Sequence, residues 1–321
     1  MATYKEIHGV KVQYRDSDAT AIEGDVWYNS STGLLKMYSG IGAWASGGTM
    51  TSTRIAAGAA GTQTATIAMG GNPGTGVVAL VETYDGSSWT EIADINTARQ
   101  QNQGTGTTTA AITTGTFGPP ATGANESWNG TSWTEVGDLN TARGQGAEVG
   151  TSTAALYFAG NTPPVSAVCE KWNGTAWTEV GDLNTARRYA NGAGATNTAA
   201  LCIGGNTQYP GTTNTANVET WNGTAWTEGA NLTTARFNGG SGGTSTSALM
   251  FGGNVSPNAQ TETYDGSSWT EVADLAVGRA DMMGTAGDNT SALAFGGGGT
   301  PNTTAAEEWS FVADIQTVAF D

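Results

Sequence analysis

Short apolar runs alternate with glycine-rich and polar stretches along most of the chain, and the period of that alternation points to strands. Runs such as Ser152-Thr153-Ala154-Ala155-Leu156-Tyr157-Phe158 and Ser247-Ala248-Leu249-Met250-Phe251 end at or near glycine and read as buried strands. Asn-Gly or Asp-Gly pairs sit between aromatic-bearing runs, a strong two-residue hairpin signal because both turn positions need positive φ. With Asn173-Gly174 as such a turn, Trp172 faces Thr175 and Glu170 faces Trp177, which sets the two tryptophans diagonally on one face. Apolar residues nowhere recur at helical spacing over three turns, so an all-β chain with under about a tenth of its residues in helix is expected.

The pattern repeats. Glu82-Thr83-Tyr84, Glu126-Ser127-Trp128, Glu170-Lys171-Trp172, Glu219-Thr220-Trp221, Glu262-Thr263-Tyr264 and Glu307-Glu308-Trp309 follow one another at roughly 43–49 residues, a period that admits helical arrays or four-stranded propeller blades. The first five continue into the Asn-Gly or Asp-Gly turn, a second tryptophan (Trp89, Trp133, Trp177, Trp226, Trp269), Thr-Glu, and an arginine: Arg99, Arg143, Arg187, Arg236 and Arg279. Arg54 precedes the first full unit. Strand chemistry decides against the helical array, and six four-stranded blades over residues 49–321 are the expectation. The sixth unit lacks the Trp-Thr-Glu strand, so a chain terminus must complete it. Gln316-Thr317-Val318-Ala319-Phe320 and the stretch around Trp44 are the two sources, with the first preferred.

Composition narrows the function. A net charge of −16 offers no basic stripe for phosphate backbones, which argues against nucleic-acid binding. His8 is the only histidine, so sites built from several imidazoles are not available. Cys169 and Cys202 lie in strand-like runs and read as small buried thiols. No run of 18 apolar residues and no basic-then-apolar leader occurs, so neither a membrane span nor a signal peptide is expected. No cofactor and no metal are expected.

These residues resemble kelch repeats: a double glycine ending the second strand (Gly70-Gly71, Gly204-Gly205, Gly252-Gly253, Gly296-Gly297), then Glu-x-Tyr/Trp, a turn, a tryptophan and a later arginine. Two units depart from the double glycine, with Thr114-Gly115 and Ala159-Gly160. The resemblance implies a six-bladed β-propeller and leaves function open, since propellers host enzymes, adaptors and binding proteins.

Residues 1–48 lack the repeat. Their Gly24-Asp25-Val26-Trp27-Tyr28-Asn29, Thr32-Gly33, Tyr38 and Trp44 form a hairpin pattern that resembles the amino-terminal segment of kelch-like virion proteins of marine tailed bacteriophages, as does the opening Met1-Ala2-Thr3-Tyr4-Lys5-Glu6-Ile7. That likeness implies a non-enzymatic virion protein, a tail-fibre or receptor-binding component. Its residues 1–48 would dock to other virion proteins, and its propeller (49–321) would face a host-surface glycan or protein. It further implies a homo-oligomer on the particle, assembled in the host cytoplasm. The alternatives are a purely structural decoration or tail accessory protein, and a carbohydrate-active enzyme.

Most of the propeller's carboxylates recur in nearly every unit and therefore read as scaffold. Glu82, Glu126, Glu170, Glu219, Glu262 and Glu307 are expected to form interblade ion pairs with Arg54, Arg99, Arg143, Arg187, Arg236 and Arg279, because a guanidinium fork holds a carboxylate and backbone carbonyls together. Glu148, Asp281, Asp288, Glu308, Asp314 and Asp321 are left over, and no motif fixes a glycosidase separation among them. No catalytic residue is assigned. Sialidase Asp-boxes are not matched by Asp85-Gly86-Ser87-Ser88-Trp89, whose aspartate sits one residue too close to the tryptophan. All eight prolines fall in the connection between the second and third strands, whose length varies. Rigid loops of varied length suit recognition. Within them Tyr209, with Phe117, Asn206 and Gln208, is the candidate ligand contact, an aromatic to stack on a sugar with amides to bond its hydroxyls.

Overall fold

The computed structural model describes residues 13–17, 26–118, 120–281, 283–298 and 302–317. His8, Pro119 and Pro301 lie outside them, as do residues 318–320 of the preferred closing segment. No helix occurs among the described residues. The chain divides into two units, residues 1–43 with 310–321 and residues 44–309, rather than at the 48/49 boundary read from the sequence.

In the first unit, β1 (Gln13–Arg15) runs parallel to β2 (Val26–Asn29), which forms a hairpin with the start of β3 (Leu34–Ser46). Asn29 Oδ1 accepts the N–H groups of Ser31 and Thr32 at 3.0 Å, and Gly33 takes the positive φ of 71° that the turn requires.

In the second unit five sheets have four strands each, joined in chain order as antiparallel meanders. The first holds β4 (Gly58–Thr62), β5 (Ala65–Met69), β6 (Val81–Tyr84) and β7 (Trp89–Glu91). The next holds β8 (Gln103–Thr107), β9 (Ala110–Thr116), β10 (Thr122–Trp128) and β11 (Trp133–Val136). The third is β12 (Ala147–Thr151), β13 (Ala154–Phe158), β14 (Cys169–Trp172) and β15 (Trp177–Glu179). The fourth is β16 (Asn191–Thr196), β17 (Ala199–Ile203), β18 (Val218–Trp221) and β19 (Trp226–Glu228). The fifth is β20 (Gly240–Thr244), β21 (Ser247–Phe251), β22 (Thr261–Tyr264) and β23 (Trp269–Val272). A sixth sheet contains β24 (Met283–Asp288), β25 (Ser291–Phe295) and β26 (Ala306–Thr317), with β3 as the next neighbour.

The edge of the sixth sheet is thus supplied by the amino-terminal side, which corrects the preference for residues 316–320. Gly47 N–H donates to Ala306 O at 2.9 Å, and Met50 N–H to Thr304 O at 2.9 Å. Trp44 takes the place of the missing second tryptophan. It packs edge-on to Phe251 of the preceding sheet at 4.9 Å, as Trp226 packs on Phe158 and Trp89 on Phe295. Gln316 and Thr317 instead continue β26, whose first four residues already fill the third-strand position.

The outer hairpins also differ from the two-residue expectation. Trp172 lies directly opposite Trp177, and Glu170 opposite Glu179. The loop is Asn173 to Ala176, in which Asn173 Oδ1 accepts Thr175 and Ala176 N–H at 2.9 Å and only Gly174 has positive φ. An asparagine side chain that caps two amides replaces the second left-handed residue of a two-residue turn. The tryptophans consequently stack as a cross-strand pair, 5.3 Å between ring centroids.

The innermost strands β4, β8, β12, β16, β20 and β24 each neighbour the next, and β24 returns to β4, closing a ring. Their small residues make this possible. Phe158 and Phe251 reach from the second strand of one sheet onto the inner strand of the next, where a Cβ on Gly192 or Gly284 would come within 3.2 Å or 2.5 Å of the ring. Core clusters accordingly lie between neighbouring sheets: Leu156, Phe158 and Cys169 of one pack with Cys202, Trp221 and Trp226 of the next. Both cysteines are buried and free.

Candidate functional site

The links between sheets are fixed first. Arg54 pairs with Glu82 at 2.9 Å, Arg143 with Glu170 and Arg187 with Glu219 at 2.5 Å, and Arg236 with Glu262 at 2.6 Å; Arg99 with Glu126 and Arg279 with Glu307 complete the set. All twelve side chains are essentially buried. Each arginine lies on the link entering a sheet and its glutamate on that sheet's third strand, so the pairs join link to sheet rather than blade to blade. The second carboxylate oxygen accepts a link amide, such as Asn184 N–H to Glu219 at 2.7 Å, and the guanidinium also holds a carbonyl, such as Arg187 to Asn217 O at 2.9 Å. Burial lowers the pKa of Arg54, Arg99 and Arg236, and the paired glutamate opposes that shift.

Two residues beyond each arginine the backbone enters the left-handed region. Ala56, Gln101, Gln145, Tyr189, Asn238 and Asp281 have φ between 50° and 63°. Their N–H and C=O groups form a closed circle: Gln101 N–H to Ala56 O, Gln145 to Gln101, Tyr189 to Gln145, Asn238 to Tyr189, Asp281 to Asn238 and Ala56 to Asp281, all within 2.6–3.1 Å. Six non-glycine residues hold a disfavoured conformation because each one completes its neighbour's hydrogen bond. The backbone here has near six-fold symmetry while the side chains differ.

Those side chains close the face of the ring. Gln145 Nε2 donates to Gln101 Oε1 and to Tyr189 Oη, both at 2.8 Å, and Asn238 Nδ2 donates to Asp281 Oδ1. Beyond them lies a cavity of about 300 Å³ walled mostly by glycine and alanine of the inner strands. Two of the non-repeated carboxylates, Glu148 and Asp281, belong to this region. Burial pushes the Glu148 pKa up to about 8, against a hydrogen bond from Thr114 Oγ1 at 3.1 Å, and burial also raises that of Asp281. Glu148 Oε2 has no hydrogen-bond partner among the described residues. Where Met69, Phe158, Ile203, Phe251 and Phe295 reach toward the next sheet, the second sheet has Thr114, and the long Glu148 fills the space from the other side.

The loops join this face. Phe117, from the second sheet's loop, and Tyr209, from the fourth's, meet edge to face at 6.3 Å. Arg188 is stacked between Tyr209 (4.7 Å) and Tyr189 (5.1 Å) and donates from Nη2 to Gly211 O at 3.0 Å. Tyr189 also lies 5.8 Å from Phe237. Gln208 is exposed and accepts Thr213 Oγ1–H at 2.8 Å. Asn206 must be corrected: it is fully buried, and its Oδ1 caps Gln208 N–H at 2.9 Å. Asn72 and Asn161 occupy the matching place after the double glycine or its equivalent, so Asn206 is a repeat residue that shapes the loop base. The sequence reading passed over the ring side chains and Arg188. The signal available was position: each ring residue stands two after a repeat arginine, and across the six units it is Ala, Gln, Gln, Tyr, Asn and Asp.

A closed ring of four-stranded meanders, with the last sheet completed by the other end of the chain, decides the architecture. The fold is a β-propeller. The chain is similar to the solved structure of YjhT, with a TM-score of 0.67 and 13% identity over 84% of this chain and 99% of that one. It is one of 278 solved chains that match, and at that identity the likeness concerns the propeller fold alone. No family model and no curated protein matches the chain.

Proposed function

We propose that this propeller is a six-bladed kelch-like recognition module, the receptor-binding or tail-fibre component of a virion, in which the loop face contacts a host-surface glycan or protein. The observation that carries this reading is the meeting of Phe117 and Tyr209, from loops of two different sheets, with the exposed amide of Gln208 next to Tyr209 in the same loop. Aromatic rings that stack on the apolar face of a pyranose, next to amides that bond its hydroxyls, form a sugar-binding arrangement without catalytic machinery. Residues 1–48 would attach the chain to other virion proteins, and the particle would carry several copies.

A carbohydrate-active enzyme is the second reading, favoured by two carboxyls of raised pKa in this region, Glu148 lining the cavity and Asp281 bonded to the cavity residue Asn238. Against it, the free oxygen of Glu148 is buried and its partner oxygen is occupied by Thr114. Particles carrying Tyr209→Ala should assemble normally and lose most of their adsorption to host cells. Unchanged adsorption by a folded variant removes the loop face from the reading, and release of sugar from host polysaccharide by the wild-type chain favours the enzyme.

A further inference from the structure

Arg188 is the one propeller arginine outside the repeat, and its electrostatics differ from those of the other six. Each repeat arginine is buried against a glutamate. Arg188 is only 8% exposed, yet it has no carboxylate within ion-pair distance among the described residues, and its Nε has no hydrogen-bond partner. The guanidinium's single hydrogen bond among the described residues is to Gly211 O, and its central carbon lies over the rings of Tyr189 and Tyr209. The carboxylate on the adjoining ring, Asp281, is engaged by Asn238. A guanidinium taken largely out of water with no counter-charge is costly, and stacking on two aromatic faces offsets only part of that cost. A neutral methionine has similar reach and makes sulfur contacts with aromatic rings, so apolar packing alone does not call for the charge.

We infer that Arg188 is the anchor for an acidic group of the ligand, so that the Phe117–Tyr209 face takes an anionic sugar, bearing a carboxylate or phosphate, in preference to a neutral one. This rests on the recognition reading above. The fork of a guanidinium suits two oxygens of one oxyanion, and its position beside Tyr209 places that group next to a stacked ring. In a chain of net charge −16 the local cation also supplies the attraction that the rest of the surface denies to an anion.

The test measures binding of the full chain to methyl glucuronide, glucose 6-phosphate and methyl glucoside by ligand-observed NMR, for the wild type, Arg188→Met and Tyr209→Ala. The expected result is about tenfold or greater preference for one or both acidic sugars over the glucoside, the scale of a hydrogen bond to a charged group. That preference should shrink with added salt and disappear in Arg188→Met at an unchanged melting temperature. The glucuronide and phosphate arms report which oxyanion is favoured. Equal binding of all three sugars, or a preference that survives Arg188→Met, overturns the inference while leaving the sugar-binding reading intact. Loss of all binding in Tyr209→Ala supports that reading separately. No binding of any probe by the wild type overturns the inference, and the adsorption assay then decides the reading by itself.

Discussion

Glu148 keeps its proton far past the ordinary carboxylate range because burial removes the solvation its anion needs, and Thr114 supplies only one hydrogen bond. A pKa raised in the native state, from 4.5 to about 8, makes the folded protein hold a proton that the unfolded chain releases. Stability contributed by this group is therefore present in full below about pH 4.5 and falls as pH rises toward about 8. Tyr157, opposite it in the sheet, and the Arg143–Glu170 pair are the other titratable groups nearby. Glu148→Gln should raise the melting temperature by several degrees at pH 8 and by much less at pH 5, measured by calorimetry across that range. A constant difference at both pH values would show that the carboxyl does not titrate there. The repeat arginines behave oppositely: their charge is matched, and removing one partner orphans the other. Arg187→Ala should cost roughly 3–5 kcal/mol in urea titrations, and the double variant with Glu219→Gln should lose clearly less than the sum of the two single changes.

At the scale of the element, turn chemistry and strand supply differ from the simplest reading of the sequence. Asn173-Gly174 marks the hairpin correctly, but the asparagine caps Thr175 and Ala176 and lengthens the loop to four residues, which aligns Trp172 with Trp177. The sixth sheet shows why strand supply matters. Trp44 donates from Nε1 to Thr261 Oγ1 at 3.0 Å and packs on Phe251 and Trp309, so it belongs to the propeller's core although it lies outside the repeat. A fragment beginning at residue 49 leaves Ala306–Trp309 with a bare edge and a gap over Phe251. A fragment of residues 49–321 should melt well below one of residues 44–321, with a deficit of about 3 kcal/mol, the cost of deleting a large core aromatic. Equal melting temperatures would mean that the edge residues contribute little.

For the whole molecule, closure unites the backbone circle, the six link pairs and the sheet completed by Trp44–Ser46. Five of the sheets are local hairpin products, the sixth takes its edge from Trp44–Ser46, and contacts such as Ala56 N–H to Asp281 O and Trp89 on Phe295 join the last sheet to the first. The central face is where this closure brings single, unrepeated side chains together.

The sequence by itself determined the strands, the number and spacing of the repeats, and the pairing of one buried arginine with one buried glutamate in every unit, because each is a local signal that six copies reinforce. It also singled out Phe117 and Tyr209 as aromatics of the variable, proline-bearing loops, and the structure brings these two rings together. Tertiary structure alone decided which terminus closes the ring, since Gln316–Phe320 and Trp44 carry equally strand-like patterns and only packing against Phe251 separates them. It alone revealed Asn206 as scaffold, Arg188 as a buried cation between two tyrosines, and Glu148 as the replacement for a missing apolar side chain at Thr114. Those properties depend on what lies across the gap between sheets, and a linear repeat records only what lies within one.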